Sequence, residues 1–195
     1  MKLLKIMIKL NVFIVTILTI PFTVYAEIEP ELLRSSAVVV KHPEFKSAKL
    51  KSFSWAADHA DISAGLKKPD FSISALIDEA IQHAIKQKSY PFLNDIKGSL
   101  LIQYHVSLAS ELNDTALTLK YGLSPGLRAN SLSAKEHERG TLVVDIIEPE
   151  LNKVVWRGAV EVFTGVENTQ QGRQKRLNKL LLELFSGIPN FKSAE

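Results

Sequence analysis

The spacing of apolar and polar positions changes along the chain, and each change marks an element. Ala37-Val38-Val39-Val40 is a compact β-branched run closed by His42-Pro43, which predicts a strand. Leu50, Phe53 and Trp55 among lysines and serines predict a second strand over 52–55. Residues 58–69 are polar, contain Gly65 and Pro69, and read as a loop. Ile73, Leu76, Ile77, Ala80, Ile81, Ala84 and Ile85 then recur at three and four, which predicts a helix over 74–88 with Ser72 or Ser74 as its N-cap. Ile102, Tyr104, Val106 and Leu108 alternate with Gln103, His105 and Ser107, so a third strand has one buried and one wet face. Leu117, Leu119 and Tyr121 alternate again and read as a fourth.

Residues 122–139 form a long polar loop, and loops of that length are mobile or functional. Thr141–Ile147 and Val154–Phe163 predict a hairpin. With Glu148 opposite Val154, Asp145 faces Arg157 and Ile146 faces Trp156. That register puts Leu142, Val144, Ile146, Trp156, Val160 and Val162 on one face. A last helix runs from about 168 to 185, with Leu177, Leu180, Leu181 and Leu184 as its stripe.

The element order β-β-α-β-β-β-β-α fits an α+β fold. The expected form is a two-layer sandwich, a mostly antiparallel sheet with two helices packed on one face. The strand-helix-strand unit from Trp55 to Ile102 adds one parallel pair.

The N-terminus has a different pattern. Lys2, Lys5 and Lys9 precede an apolar run over 10–22, and Val24-Tyr25-Ala26 offers small or modest residues for cleavage between Ala26 and Glu27. The apolar run is shorter than the ~20 residues of a spanning helix. These features predict a signal peptide (1–26), a polar leader (27–36), one domain (37–190) and a short tail (191–195). The expected location is the periplasm. Secretion, or a tether to the inner membrane through an uncleaved signal, is the alternative.

Cleavage also alters the charge. The chain carries 24 Lys+Arg and 21 Asp+Glu, and the three lysines before Ala26 account for the whole excess. From Glu27 onward the balance is zero, which argues against nucleic acid and against a polybasic membrane patch. Arg173-Gln174-Lys175-Arg176, the densest basic run, reads as a solvated helix face. Cysteine is absent, so no lipid can be attached to a residue after the cleavage site.

Gly140–Pro149 followed by Asn152–Gly158, with the Phe45–Trp55 and Leu100–Val106 segments, resembles the domain of unknown function family 4136. These are bacterial envelope proteins, often lipoproteins, and the likeness spans roughly 38–189. It implies an envelope location and this fold, and it supplies no catalytic residues.

The chain contains no phosphate-binding glycine loop and no cysteine. His42, His59, His83, His105 and His137 do not show metal-ligand spacing. Asp58-His59-Ala60-Asp61 reads as a solvated turn, His83 as exposed, and no cofactor or metal is expected. Trp55 and Trp156 read as core, Asp145 with Arg157 as a surface cross-strand pair, and Gly158 as a bulge or as room for a large neighbour.

The sequence therefore predicts a non-enzymatic binding or interaction module whose partner is an envelope protein or small ligand. Contacts are expected at Gln103, His105 and Ser107 and in the long loop. The alternative is a periplasmic hydrolase with a site assembled from scattered polar residues, Glu136 and Glu138 first among them.

Overall fold

The computed structural model describes residues 28–43, 45, 51–63, 72–94 and 99–191. The signal segment with Ala26 and Glu27, residues 46–50 with Leu50, and residues 64–71 lie outside these ranges. Five strands form one sheet: β1 (Ser35–Lys41), β2 (Phe53–Ile62), β3 (Leu100–Leu108), β4 (Arg139–Glu148) and β5 (Lys153–Phe163). Their order is β1-β5-β4-β3-β2. Three pairings are antiparallel, while β2 and β3 are parallel, joined through helix α1 (Ile73–Gln87) as a strand-helix-strand unit. The sheet is therefore mixed.

One face of the sheet holds the main core. Phe53, Ile102, Tyr104, Leu142, Val144, Ile146, Trp156 and Val160 meet the apolar stripes of α1 and of helix α4 (Gln170–Leu184). The N-caps are Ser72 for α1 and Thr169 for α4, each side chain accepting from a backbone N–H three residues on. Gly158 sits where α4 comes closest. A Cβ there would lie 2.5 Å from Trp156 and 2.9 Å from Leu184, so the glycine makes room for the indole and the helix. No bulge occurs at Gly158; the hairpin's bulge lies between Ile146 and Ile147.

The central hairpin register is as expected, with Asp145 opposite Arg157 and Ile146 opposite Trp156. Beyond the bulge the pairing shifts by one, so Glu148 faces Lys153 instead of Val154. Trp156 is fully buried and stacks on Phe185 at 5.2 Å.

Several expectations about the elements need correction. Residues 114–121 form a helix, α2 (Asp114–Tyr121), where alternation predicted a strand. Leu117 and Tyr121 are one turn apart and buried, while Leu119 is 84% exposed, so the apparent period of two was accidental. Asn113 caps α2, and Gly122 at φ 76° ends it in the left-handed conformation that favours glycine.

The two-layer arrangement fails with it. Leu117, Tyr121 and Leu123 pack on Val143 and Ala159, which point away from α1 and α4, so the sheet is covered on both faces. Finally, the 58–69 loop is strand up to Ile62.

The leader is also part of the fold. Leu32 is buried with Leu127, Ala134, Phe163 and Val166. Arg176 donates to the carbonyls of Leu32 and Phe163 and to Glu167, so this part of the basic run is a clamp and not a solvated face.

Candidate functional site at the sheet edge

The face read as wet is organised in three cross-strand rows. The first runs Gln103, Asp145, Arg157, Val40; the second Asp61, His105, Val143, Ala159, Val38; the third Ser107, Thr141, Glu161, Ser36. Helix α2 lies along the apolar middle row and leaves a charged pair on each side.

In the first row Arg157 grips the fully buried Asp145 bidentately, Nε to Oδ1 at 2.5 Å and Nη2 to Oδ2 at 2.6 Å. Its Nη1 donates to the carbonyl of Tyr121, the last residue of α2, and Gln103 donates to Asp145 at 3.3 Å. The pair expected at the surface is therefore a buried lock between sheet and helix.

In the third row Glu161 accepts from the Leu127 amide at 2.7 Å and lies 3.2 Å from Arg139 Nη1. Burial pushes the Glu161 carboxyl above its usual range, and the Leu127 and Arg139 contacts offset this only in part.

The expected contact residues are not an open surface. Ser107 is buried, Gln103 is tied to Asp145, and His105 Nδ1 sits 2.9 Å from Asp61 beside the Tyr121 ring. The long loop is pinned as well. It contains helix α3 (Leu132–Glu136), buries Leu123, Leu127 and Ala134, and anchors on Glu161. With the start of α2 it lines a shallow cleft of about 650 Å3 that includes His137, Glu138 and Arg139. Glu138 accepts from the Ser110 amide, and Glu136 is exposed at the end of α3. Among the described residues no three His, Asp or Glu side chains converge as a metal site.

The two outer strands differ. β2 carries a register shift between Trp55 and Ala60. Trp55 is half-buried and stacks on His59 with ring centroids 4.4 Å apart, and His59 Nε2 lies 3.3 Å from Asp78 on α1. Asp78 also accepts from the buried Tyr104 hydroxyl at 2.7 Å, and burial with that carboxylate pushes the phenol pKa up. Asp58-His59-Ala60-Asp61 is therefore strand, not a solvated turn, and His59 is half-buried. His83 is half-buried too, where exposure was expected. The outer side of β2 is partly taken, because Phe53 donates to the Pro91 carbonyl and accepts from the Leu93 amide.

β1 pairs with β5 without a register break, and among the described residues no strand pairs with its other side. His42 N–H donates to Val155 O in the same register that pairs Lys41 with Trp156. In an antiparallel ladder the backbone groups of alternate residues point to the same side. Those of Ser36, Val38 and Val40 therefore face β5, and those of Ser35, Ala37, Val39 and Lys41 face outward. Val39 is 39% and Val40 51% exposed, although they project to opposite faces. Beside them Val40, Pro43, Tyr121, Val154 and Arg157 line a groove of about 380 Å3. The sequence showed the strand but not its position. The available signal was a β-branched run without an internal charge or proline.

The family model for "Domain of unknown function (DUF4136)" matches residues 38–190, and the chain belongs to that family. No curated protein matches. Among solved structures the fold is similar to a PelC variant dodecamer from Paraburkholderia phytofirmans. Identity is 7% and the TM-score 0.50, over 82% of this chain and 100% of that one. A second PelC dodecamer from that organism is 8% identical, over 82% of this chain and 100% of that one, at TM-score 0.48. A PDZ domain protein from Parabacteroides distasonis is 12% identical, over 81% of this chain and 37% of that one, at TM-score 0.45.

Proposed function

We propose that this DUF4136 protein is an exported, non-enzymatic interaction module of the bacterial envelope that binds an extended strand along the outer edge of β1. The observation that carries the reading is the outward row of backbone groups at Ser35, Ala37, Val39 and Lys41, flanked by exposed Val39 and Val40. Such an edge is a ready template for strand addition, in which main-chain hydrogen bonds supply affinity and neighbouring pockets supply selectivity. The groove beside Val40 offers one such pocket. The basic, apolar and small-residue order before Glu27 supports export, and no helix among the described residues is long and apolar enough to cross a membrane. The PelC chain of similar fold is described as a dodecamer, so the fold is compatible with assembly.

Capture from a periplasmic extract tests the reading when the natural chain is compared with Val39→Pro. Proline removes an outward N–H and leaves the bonds to β5 intact. Proteins retained by the natural chain and lost by the variant support edge recognition. Identical retention by both would sink it, and a precursor mass recovered in the membrane pellet would sink the export part.

A further inference from the structure

The edge of β1 is complementary to itself. Resting on the reading of β1 as a docking edge, we propose that its partner strand is β1 of a second copy, paired antiparallel about Val38. That centre places Ser35 opposite Lys41 of the second copy and Ala37 opposite Val39, with Val38 facing Val38. All four outward-facing residues of each strand then meet an outward-facing residue of the other, and the whole seven-residue strand is used. A centre one residue later would bring Ser35 opposite Pro43, which has no N–H to donate.

The side chains agree with the backbone. On the face of α1 and α4 the exposed Val39 meets the small Ala37. On the face of α2 the exposed Val40 meets the small Ser36. Large residues therefore sit opposite small ones on both faces, and Lys41, the strand's only charge, faces a serine. The domain after residue 26 carries no net charge, so two copies do not repel one another at long range. β2 is the poorer acceptor, because the outer side of Phe53 is bonded to Pro91 and Leu93 and the strand's pairing with β3 breaks register between Trp55 and Ala60.

Two variants test the pairing in the full chain as the cell processes it. Light scattering on the eluting natural protein should give twice the chain mass at tens of micromolar. Val39→Pro should halve that mass with an unchanged far-ultraviolet circular dichroism spectrum. The chain has no cysteine, so Val38→Cys introduces a single thiol. A directly opposed non-hydrogen-bonded pair brings the two Cα atoms to about 4.5 Å, inside the disulfide range, so mild oxidation should link most of the protein as dimer.

A natural chain that is monomeric throughout and a Val38→Cys chain that stays unlinked would overturn the proposal. So would a dimer that survives Val39→Pro. If the chain is monomeric while Val39→Pro still loses captured partners, the second copy is excluded and the edge-docking reading stands. If Val39→Pro changes neither mass nor capture, both fall. If Val39→Pro misfolds, the oxidation of Val38→Cys decides alone.

Discussion

β1 and β2 both end the sheet, and they are built from different residues for that position. β2 starts on fully buried Phe53, bonds outward to Pro91 and Leu93, and then slips register between Trp55 and Ala60, a stretch that contains Asp58 and His59 and is followed by Asp61. Bulges and charges of this kind are the usual means of keeping an edge strand from pairing. β1 has an apolar middle, an unbroken register with β5, and one lysine at its end, whose Nζ is held 2.8 Å from the Gly187 carbonyl. The comparison teaches that edge position alone does not make a docking strand. Cover and register decide it, and both are set by what packs next door.

The difference between the edges has a thermodynamic side. Phe53→Ala should cost about 3–5 kcal/mol, since it empties a fully buried site against Tyr90. Val40→Ala on β1 should cost less than about 1 kcal/mol, because that side chain is half in water. Urea denaturation of the two variants measures both, and similar losses would erase the distinction.

The lock between the edges gives the next effect. Asp145→Ala leaves Arg157 without its bidentate partner under α2. The expected loss is about 2–3 kcal/mol, below the ~3–5 of a wholly buried pair, because the Arg157 side chain keeps 22% of its exposure. A loss confined to α2 would appear as early exchange of its amides before global unfolding.

Glu161 reports on the β1 side through the row it shares with Ser36. Its folded pKa is raised by burial, so the folded state binds its proton more tightly than the unfolded chain does. The stabilisation is complete below the unfolded value and is lost as pH rises through the folded one. Urea midpoints taken from pH 4.5 to 7 should therefore fall more for the natural chain than for Glu161→Gln. Parallel curves would show that Arg139 and Leu127 fully compensate the burial.

The smallest effect is the most local. In dilute monomer the amides of Ala37 and Val39 should exchange rapidly while those of Val38 and Val40 are protected by β5. Protection of all four would mean that the outer side of β1 is already covered.

Much of this architecture was legible in the sequence. The stripes of α1 and α4 are long enough for a period of 3.6 to stand clear, and the hairpin register followed from one acid, one base and one tryptophan. Residues 117–121 were not legible by period, because a short helix and a strand can share an alternating triplet. Asn113 and Gly122 carried the better signal, a cap at each end. That one error hid the site. Without α2 the row of Gln103, His105 and Ser107 reads as open, Asp145 reads as a surface acid, and attention leaves β1. The burial of Asp145 beside the α2 contact and of Glu161 under the Leu127 loop depends on segments contributed from elsewhere in the chain, which periodicity within β4 and β5 cannot report.

The partly taken edge of β2 has a consequence for stoichiometry. A sheet with two open edges can add subunits without end and grow into a filament, as cross-β assemblies do. Here the bonds from Phe53 to Pro91 and Leu93 and the broken register of β2 disfavour addition at one end. Pairing through β1 uses up the remaining edge on both copies, leaving a ten-stranded sheet with β2 at each extremity. Growth then terminates at two, and the same strand that invites association sets its limit.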